Sequence, residues 1–538
     1  MNKKHNFSII EWIISFFVDY NLIPFFIAFP IIYFIDRELY YYWYKYTDPM
    51  FRSALDSPAQ LFILGTSYAL WGYLLFLNCR RRRYKKLTGR KFELDRNQYK
   101  RNYDDMVRYF KDAEPNKLDF KTLPIASWRE TSGVILGKIE NRIIHRPSDQ
   151  AGNIAVFGLP GDGKTTSIII PTALRFCGSV FAIDIKGDIY DATHRDRDIK
   201  VFSPGDPQHS CSYNILRGVG SMSTDARRTF IENIGLILCP REYGEGRYFS
   251  DGARNFFVGI SLYLIAEDPD VTFPKIVETI LTSNGIDWVK RIKASTCIEA
   301  KLFTDSMYGS NEKNVSGAYD HLAQAVRSFS GEGLKSILTA SFNEITPNDL
   351  NSGLDVYLRV NQDELKIYAP LLTIIVQQFL NAFLSRPAGL DPIIFLLDEF
   401  PQLNFDFDTL STALSTLRSR KVTLLLCQQS LSQLDKLYKE AGRKEIMDTC
   451  AYYAILSVQD PYTRKYFSDL IGTKKVLKTS SSQNPNGKYD SYARSSTEAR
   501  EPVFLPEEFG SLGDYLIIYG KFGNASKYIK AQKCKYYE

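Results

Sequence analysis

Hydrophobic and polar positions divide this chain into three textures. Near its start, apolar residues run almost without a break. Leu61 to Asn78, LFILGTSYALWGYLLFLN, is 18 residues without a charge, close to the length that crosses about 30 Å of hydrocarbon at about 1.5 Å per residue. An earlier apolar region, Phe7 to Ile35, is broken only by Glu11 and Asp19. Its cleanest part, Asn21 to Ile35, extended into LYYYWY, predicts a first span over about 20–40 that ends in an aromatic belt.

The second texture is a set of short apolar runs: Ile154–Phe157, Ser179–Asp184, Ile393–Leu397, Val422–Gln429 and Tyr452–Val458. They have the length of buried strands, and helical or insertional sequence separates them, which predicts βαβ units on a parallel sheet. The third lies between about Gly218 and Ser341, where TFIENIGLIL, SDGARNFFVGISLYLIAED, FPKIVETILTS and YDHLAQAVRSF place apolar residues three and four apart. That spacing predicts an all-α domain inserted into the sheet domain. The Ser-rich stretch from Thr479 to Arg500 is expected to be a flexible loop, and DYLIIYGKFGN a last strand and hairpin. The predicted organisation is a transmembrane region over 1–87, a sheet domain formed by 88–217 with 342–538, and an all-α insert over 218–341.

Charge changes this picture at one place. The net charge is +6, but eleven Lys or Arg stand against two acids between Arg80 and Arg101, a local +9 that leaves the remainder at −3. The run CRRRRYKK directly follows the second span, Lys3 and Lys4 precede the first, and the loop between the spans is near neutral. Both termini are therefore expected to be cytoplasmic, with the basic run serving as topology signal and anionic-lipid contact. Nucleic-acid binding is the other use of such a run, although the body as a whole is not uniformly basic. The eight cysteines are scattered, with no Cys-x-x-Cys pair, and are read as reduced thiols.

Two motifs carry the chemistry. Between a predicted strand and a predicted helix stands GLPGDGKT, Gly158 to Thr165, followed by Thr166. Gly158, Gly161 and Gly163 let the backbone turn so that its N–H groups face phosphates. Leu159, Pro160 and Asp162 fill the variable positions, Lys164 reaches the β and γ oxygens, and Thr165 offers a hydroxyl to Mg2+. The second motif is IIFLLDEF, where Asp398 at a strand end can hold Mg2+ and Glu399 can polarise the attacking water. Adjacent acids also occur at ordinary strand exits, and it is the pairing with Lys164 that gives them meaning. Gln429, beside Gln428, ends the following strand where a polar side chain can sense a γ-phosphate. Arg418 and Arg420 are candidate arginine fingers for a neighbouring subunit. The plain alternatives are a surface glutamine pair and solvated helix-end charges.

In order along the chain, the two spans, GLPGDGKT, VFAIDIKGDIYDAT, FSPGDPQHSCSYNIL, RYFSDGARNFFVGISLYL, LLDEFPQL, LLLCQQSLSQLDKLY, LIGTKK and EPVFLPEEFGSLGDYLIIYG resemble the type IV secretion coupling proteins. These are the TraG/TraD-like conjugative DNA-transfer ATPases of the HerA–FtsK superfamily. The resemblance implies an α/β, RecA-like P-loop NTPase domain with an inserted all-α domain behind two N-terminal transmembrane helices. It further implies a homo-hexameric, multi-pass inner-membrane ATPase that uses ATP and Mg2+. Such a protein receives single-stranded, relaxase-bound DNA with its relaxase and accessory proteins and passes it to type IV secretion channel components. Lys164, Thr165, Asp398, Glu399 and Gln429 take the family's nucleotide roles by position. Asp162 departs from the Thr and Ser common in the cradle, which bears on turnover. The long acidic tail of some members is not expected after the last strand. Two other functions fit the motor motifs, a coupling ATPase that exports protein effectors and a nucleotide-switched membrane scaffold. An ABC-type transporter is disfavoured because no LSGGQ-like sequence precedes the Asp398 strand.

Overall fold

The computed structural model describes residues 117–118 and 125–537, except 149, 151, 243, 245, 404, 484–491 and 523–524. The two expected spans, the basic run and the membrane topology drawn from them lie outside these residues.

Fourteen strands are described. They are β1 (Ile125–Ala126), β2 (Val134–Ile139), β3 (Arg142–Arg146), β4 (Asn153–Phe157), β5 (Ser179–Ile185), β6 (Ile199–Phe202), β7 (Asp355–Val360), β8 (Ile393–Leu397), β9 (Val422–Gln428), β10 (Cys450–Ile455), β11 (Thr473–Gln483), β12 (Tyr492–Pro502), β13 (Tyr515–Phe522) and β14 (Ala525–Gln532). Twelve of them form one sheet in the order β1-β3-β2-β14-β13-β10-β4-β9-β8-β5-β7-β6. From β10 to β6 every neighbour is parallel. From β10 to β1 every neighbour is antiparallel, so the sheet is mixed. The five apolar runs read from the sequence are β4, β5, β8, β9 and β10, and the expected last hairpin is β13 with β14.

The parallel strands are apolar throughout because both faces are covered. Alternation along each strand serves two separate cores. On β8, Ile393, Phe395 and Leu397 enter one core while Ile394 and Leu396 enter the other. On β5, Phe181 and Ile183 face the first and Val180 and Ala182 the second. Phe181 stacks on Phe395 at 4.7 Å between ring centroids and meets Phe379 at 5.0 Å. Phe379 belongs to Leu365–Leu384, a helix apolar and long enough to cross a membrane by composition, yet largely buried here against the sheet.

Between β6 and β7 the regular elements are helical. The helix Gly246–Glu267 is flanked by Thr224–Leu238, Ile298–Thr304 and Glu312–Val326. Polar caps set several starts: Ser223 accepts from the Ala226 N–H, Thr272 from Lys275 and Asn284 from Asp287. Tyr319 ties Glu312–Val326 to its neighbours, packing edge-on to Phe256 at 5.3 Å and donating its hydroxyl to the Ile280 carbonyl at 2.7 Å.

One expectation is corrected. The Ser-rich stretch is not a loop throughout, because β11 and β12 pair antiparallel from Thr473 opposite Pro502 to Gln483 opposite Tyr492. The physical reason is that a two-stranded ribbon satisfies its backbone groups whatever the side chains are. Its register also sets Lys474 opposite Glu501 and Val476 opposite Ala499.

Candidate nucleotide site

The loop Gly158–Gly163 leaves the carboxyl end of β4, which lies between β10 and β9. The Gly158 N–H donates to the Gln428 carbonyl at 3.1 Å, extending the ladder one residue past β4. Gly161 and Gly163 then take φ of +83° and +87°, conformations that side chains disfavour, and these turn the chain into the following helix. Pro160 and Gly161 sit exposed at the loop tip. Asp162 turns inward: its carboxylate accepts the Leu159 N–H at 2.9 Å, and its own N–H donates to the Leu159 carbonyl at 3.2 Å. The residue that looked out of place is a clamp on the turn, and it takes one loop N–H for itself.

Lys164 is buried. Its Nζ donates to the Gly158 carbonyl at 2.8 Å and the Leu159 carbonyl at 3.3 Å, and lies 3.7 Å from Glu399 Oε1. The Thr165 hydroxyl donates to Asp398 Oδ2 at 3.1 Å, and the Glu399 N–H donates to Asp398 Oδ1 at 3.1 Å. Burial raises the Asp398 carboxyl above the ordinary carboxylate range, opposed by the Lys164 charge. Glu399 has φ of +51°, a strained backbone for a residue with a side chain. Gln429 Nε2 donates to both Glu399 oxygens, at 3.4 and 3.2 Å, while the Gln429 N–H is held by Gln433 Oε1 at 3.0 Å. Thr166, one residue into the helix, directs its hydroxyl back to the Gly163 carbonyl at 3.4 Å.

Lys164, Thr165, Asp398, Glu399 and Gln429 therefore converge, although more than 230 positions separate the two motifs. Arg418 and Arg420 do not join them. They precede β9, whereas Gln429 follows it, and seven residues at about 3.3 Å each put them roughly 20 Å away. Arg418 is exposed, and the Arg420 carbonyl accepts from Arg386 at 2.8 Å. The sequence reading missed Gln433, which fixes the Gln429 backbone. No motif marks it, and only its position one helical turn on hints at the contact.

The Thr165 hydroxyl and Asp398 carboxylate form an all-oxygen pair 3.1 Å apart. Mg2+ prefers oxygen ligands and keeps several waters, so two protein oxygens suit it.

A loop at the carboxyl edge of parallel strands, beside paired acids on the next strand but one, defines an α/β nucleotide-binding fold. The chain belongs to the family described as Type IV secretory system Conjugative DNA transfer, whose model matches residues 119–538. It is 26% identical over 389 residues to protein VirD4 of Agrobacterium fabrum (strain C58), covering 70% of this chain and 57% of that protein. It is 22% identical over 384 residues to the probable conjugal transfer protein TraG of Sinorhizobium fredii (strain NGR234), covering 66% and 57%. The chain thus spans little more than half the length of these relatives. Among solved structures it is similar to the plasmid coupling protein TrwB in complex with the ATP analogue ADPNP. That match has a TM-score of 0.59 at 18% identity and covers 78% of this chain and 92% of that one. TrwB in complex with ADP and Mg2+ matches with a TM-score of 0.57 at 16% identity. At such identities the likeness establishes the fold.

Proposed function

We propose that this protein is an ATP-hydrolysing coupling protein of conjugative type IV secretion, a RecA-like P-loop motor anchored in the inner membrane. The observation that carries the reading is the convergence of Lys164, Thr165, Asp398, Glu399 and Gln429 at the carboxyl edge of the sheet. Family membership directs it to conjugative DNA transfer. On this reading 1–87 is the membrane region, 88–217 with 342–538 the motor, and 218–341 the all-α insert that meets cargo. The assembly is a homo-hexamer that receives relaxase-bound single-stranded DNA and feeds a secretion channel.

Each residue has a task. The loop N–H groups and Lys164 Nζ hold the triphosphate, and Asp162 keeps the turn closed. Thr165 and Asp398 would hold Mg2+, which supplies positive charge against the β and γ oxygens. Glu399 accepts a proton from the attacking water, and Gln429, bonded to Glu399, registers whether the γ position is filled. Arg418 and Arg420 lie too far from their own site and are offered to the next subunit's nucleotide.

The test separates binding from turnover. Lys164→Ala should lose ATP binding about a hundredfold, because a charge-assisted contact to phosphate is removed. Glu399→Gln should bind ATP as well as the parent yet hydrolyse it at least about a hundredfold more slowly. A Glu399→Gln protein with parental turnover would remove Glu399 from the proposed role.

A further inference from the structure

A segment following β14 meets the first turn of the helix that follows the phosphate loop, and β14 lies on the side of β4 opposite the strands that carry the acids. β10, β13 and β14 stand to one side of β4, while β9 and β8, with Gln429, Asp398 and Glu399, stand to the other. The Tyr536 N–H donates to the Thr166 carbonyl at 3.1 Å. That carbonyl is available for a reason written in the sequence. The helix begins with a π turn over Thr165–Ile169, in which the Ile170 N–H bonds to the Thr165 carbonyl, and the next donor position is Pro171. Proline has no N–H, so the Thr166 carbonyl loses both its α and its π partner within the helix. Three residues earlier, Lys533 is buried, and Asp162 of the loop counters the cost of burying its charge. The segment is therefore pinned at the first turn of the helix, with the Lys533 charge within electrostatic reach of the loop. Its tyrosine rings, Tyr536 and Tyr537, are both exposed and meet edge-to-face at 5.2 Å.

We propose that Lys533–Tyr537 forms the nucleoside-side wall of the site, with Tyr536 and Tyr537 offering a ring face to the base of a bound nucleotide. The inference rests on the nucleotide reading above and extends it. With the terminal phosphate fixed at Thr165, Asp398, Glu399 and Gln429, a nucleotide laid along the loop carries its base toward the β10 to β14 side. Exposed aromatic rings at that place are suited to base stacking, which is tolerant of base identity because every base has a π face. The wall is anchored through a backbone N–H, so the rings can be changed without cutting the anchor.

The full chain in detergent should be titrated with MgATP and, separately, with inorganic tripolyphosphate, which has the phosphates and no base. The double variant Tyr536→Ala/Tyr537→Ala is expected to weaken ATP about tenfold and leave tripolyphosphate unchanged. Tyr536→Phe/Tyr537→Phe should keep ATP affinity, since the ring faces remain. Two results overturn the wall: the double alanine variant binding ATP like the parent, or losing ATP and tripolyphosphate equally. Lys164→Ala distinguishes the layers of the argument. It should lose both ligands, and parental binding of both by that variant would sink the nucleotide reading on which the wall rests.

Discussion

At the scale of single residues, the site is built from groups held in costly states. Glu399 sits at positive φ, Asp398 is a buried carboxylate, and Lys164 is almost wholly enclosed. Neighbours offset the burial: the Thr165 hydroxyl and Glu399 N–H for Asp398, and two loop carbonyls for Lys164. Asp184 at the end of β5 is a parallel case away from the phosphate loop. Burial raises its carboxyl to about 6, opposed by the N–H groups of Tyr190 and Ile189 and by Arg359. A raised carboxyl holds its proton in the folded chain where the unfolded chain has released it. Its contribution is therefore complete below pH 4 and lost as pH rises through about 6. At about 1.4 kcal/mol per unit the loss is on the order of 3 kcal/mol. The amide introduced by Asp184→Asn does not titrate, so parental stability relative to that variant should fall by that order between pH 4 and pH 7. Urea midpoints at the two pH values measure it, and a gap constant with pH would contradict the burial account.

At the scale of elements, legibility followed how each strand meets its surroundings. β8 was visible as IIFLL because alternate residues enter two different cores and leave no polar interruption. β7, DVYLRV, was missed because Asp355 and Arg359 break the run. Asp355 is nevertheless buried, satisfied by an ion pair with Arg197 and by the Val180 N–H at 2.8 Å, and neither partner is near in sequence. In the sequence the β11–β12 ribbon reads as a loop because its Ser and Thr run carries no apolar pattern, whereas the two strands pair through the backbone ladder. The first phosphate motif was legible because its tight turn demands the glycines and the phosphate demands Lys164, and the second because an all-apolar buried strand ends in two adjacent acids. The Lys533–Tyr537 wall was not, since CKYY gives no signal until Pro171 frees a carbonyl more than 360 residues away.

At the scale of the whole molecule, the two ends of β9 bear on the proposed assembly. Gln429 lies with the phosphate loop, and Arg418 lies a strand length away and exposed. Within one chain they stay apart; in the proposed ring the arginine of one subunit would reach the site of the next. Arg418→Ala and Glu399→Gln subunits, each inactive alone, should recover part of the parental turnover when mixed. No recovery at any ratio would remove Arg418 from that role. The central claim is that hydrolysis is coupled to moving DNA, and the most direct measurement is the ATPase rate of the assembled full chain with and without single-stranded DNA at low salt. Phosphate contacts are strongest under those conditions. The account predicts a rate that rises several-fold with DNA and falls to background in Lys164→Ala. An assembled ring that hydrolyses ATP at one rate with or without DNA, and binds none, would contradict it.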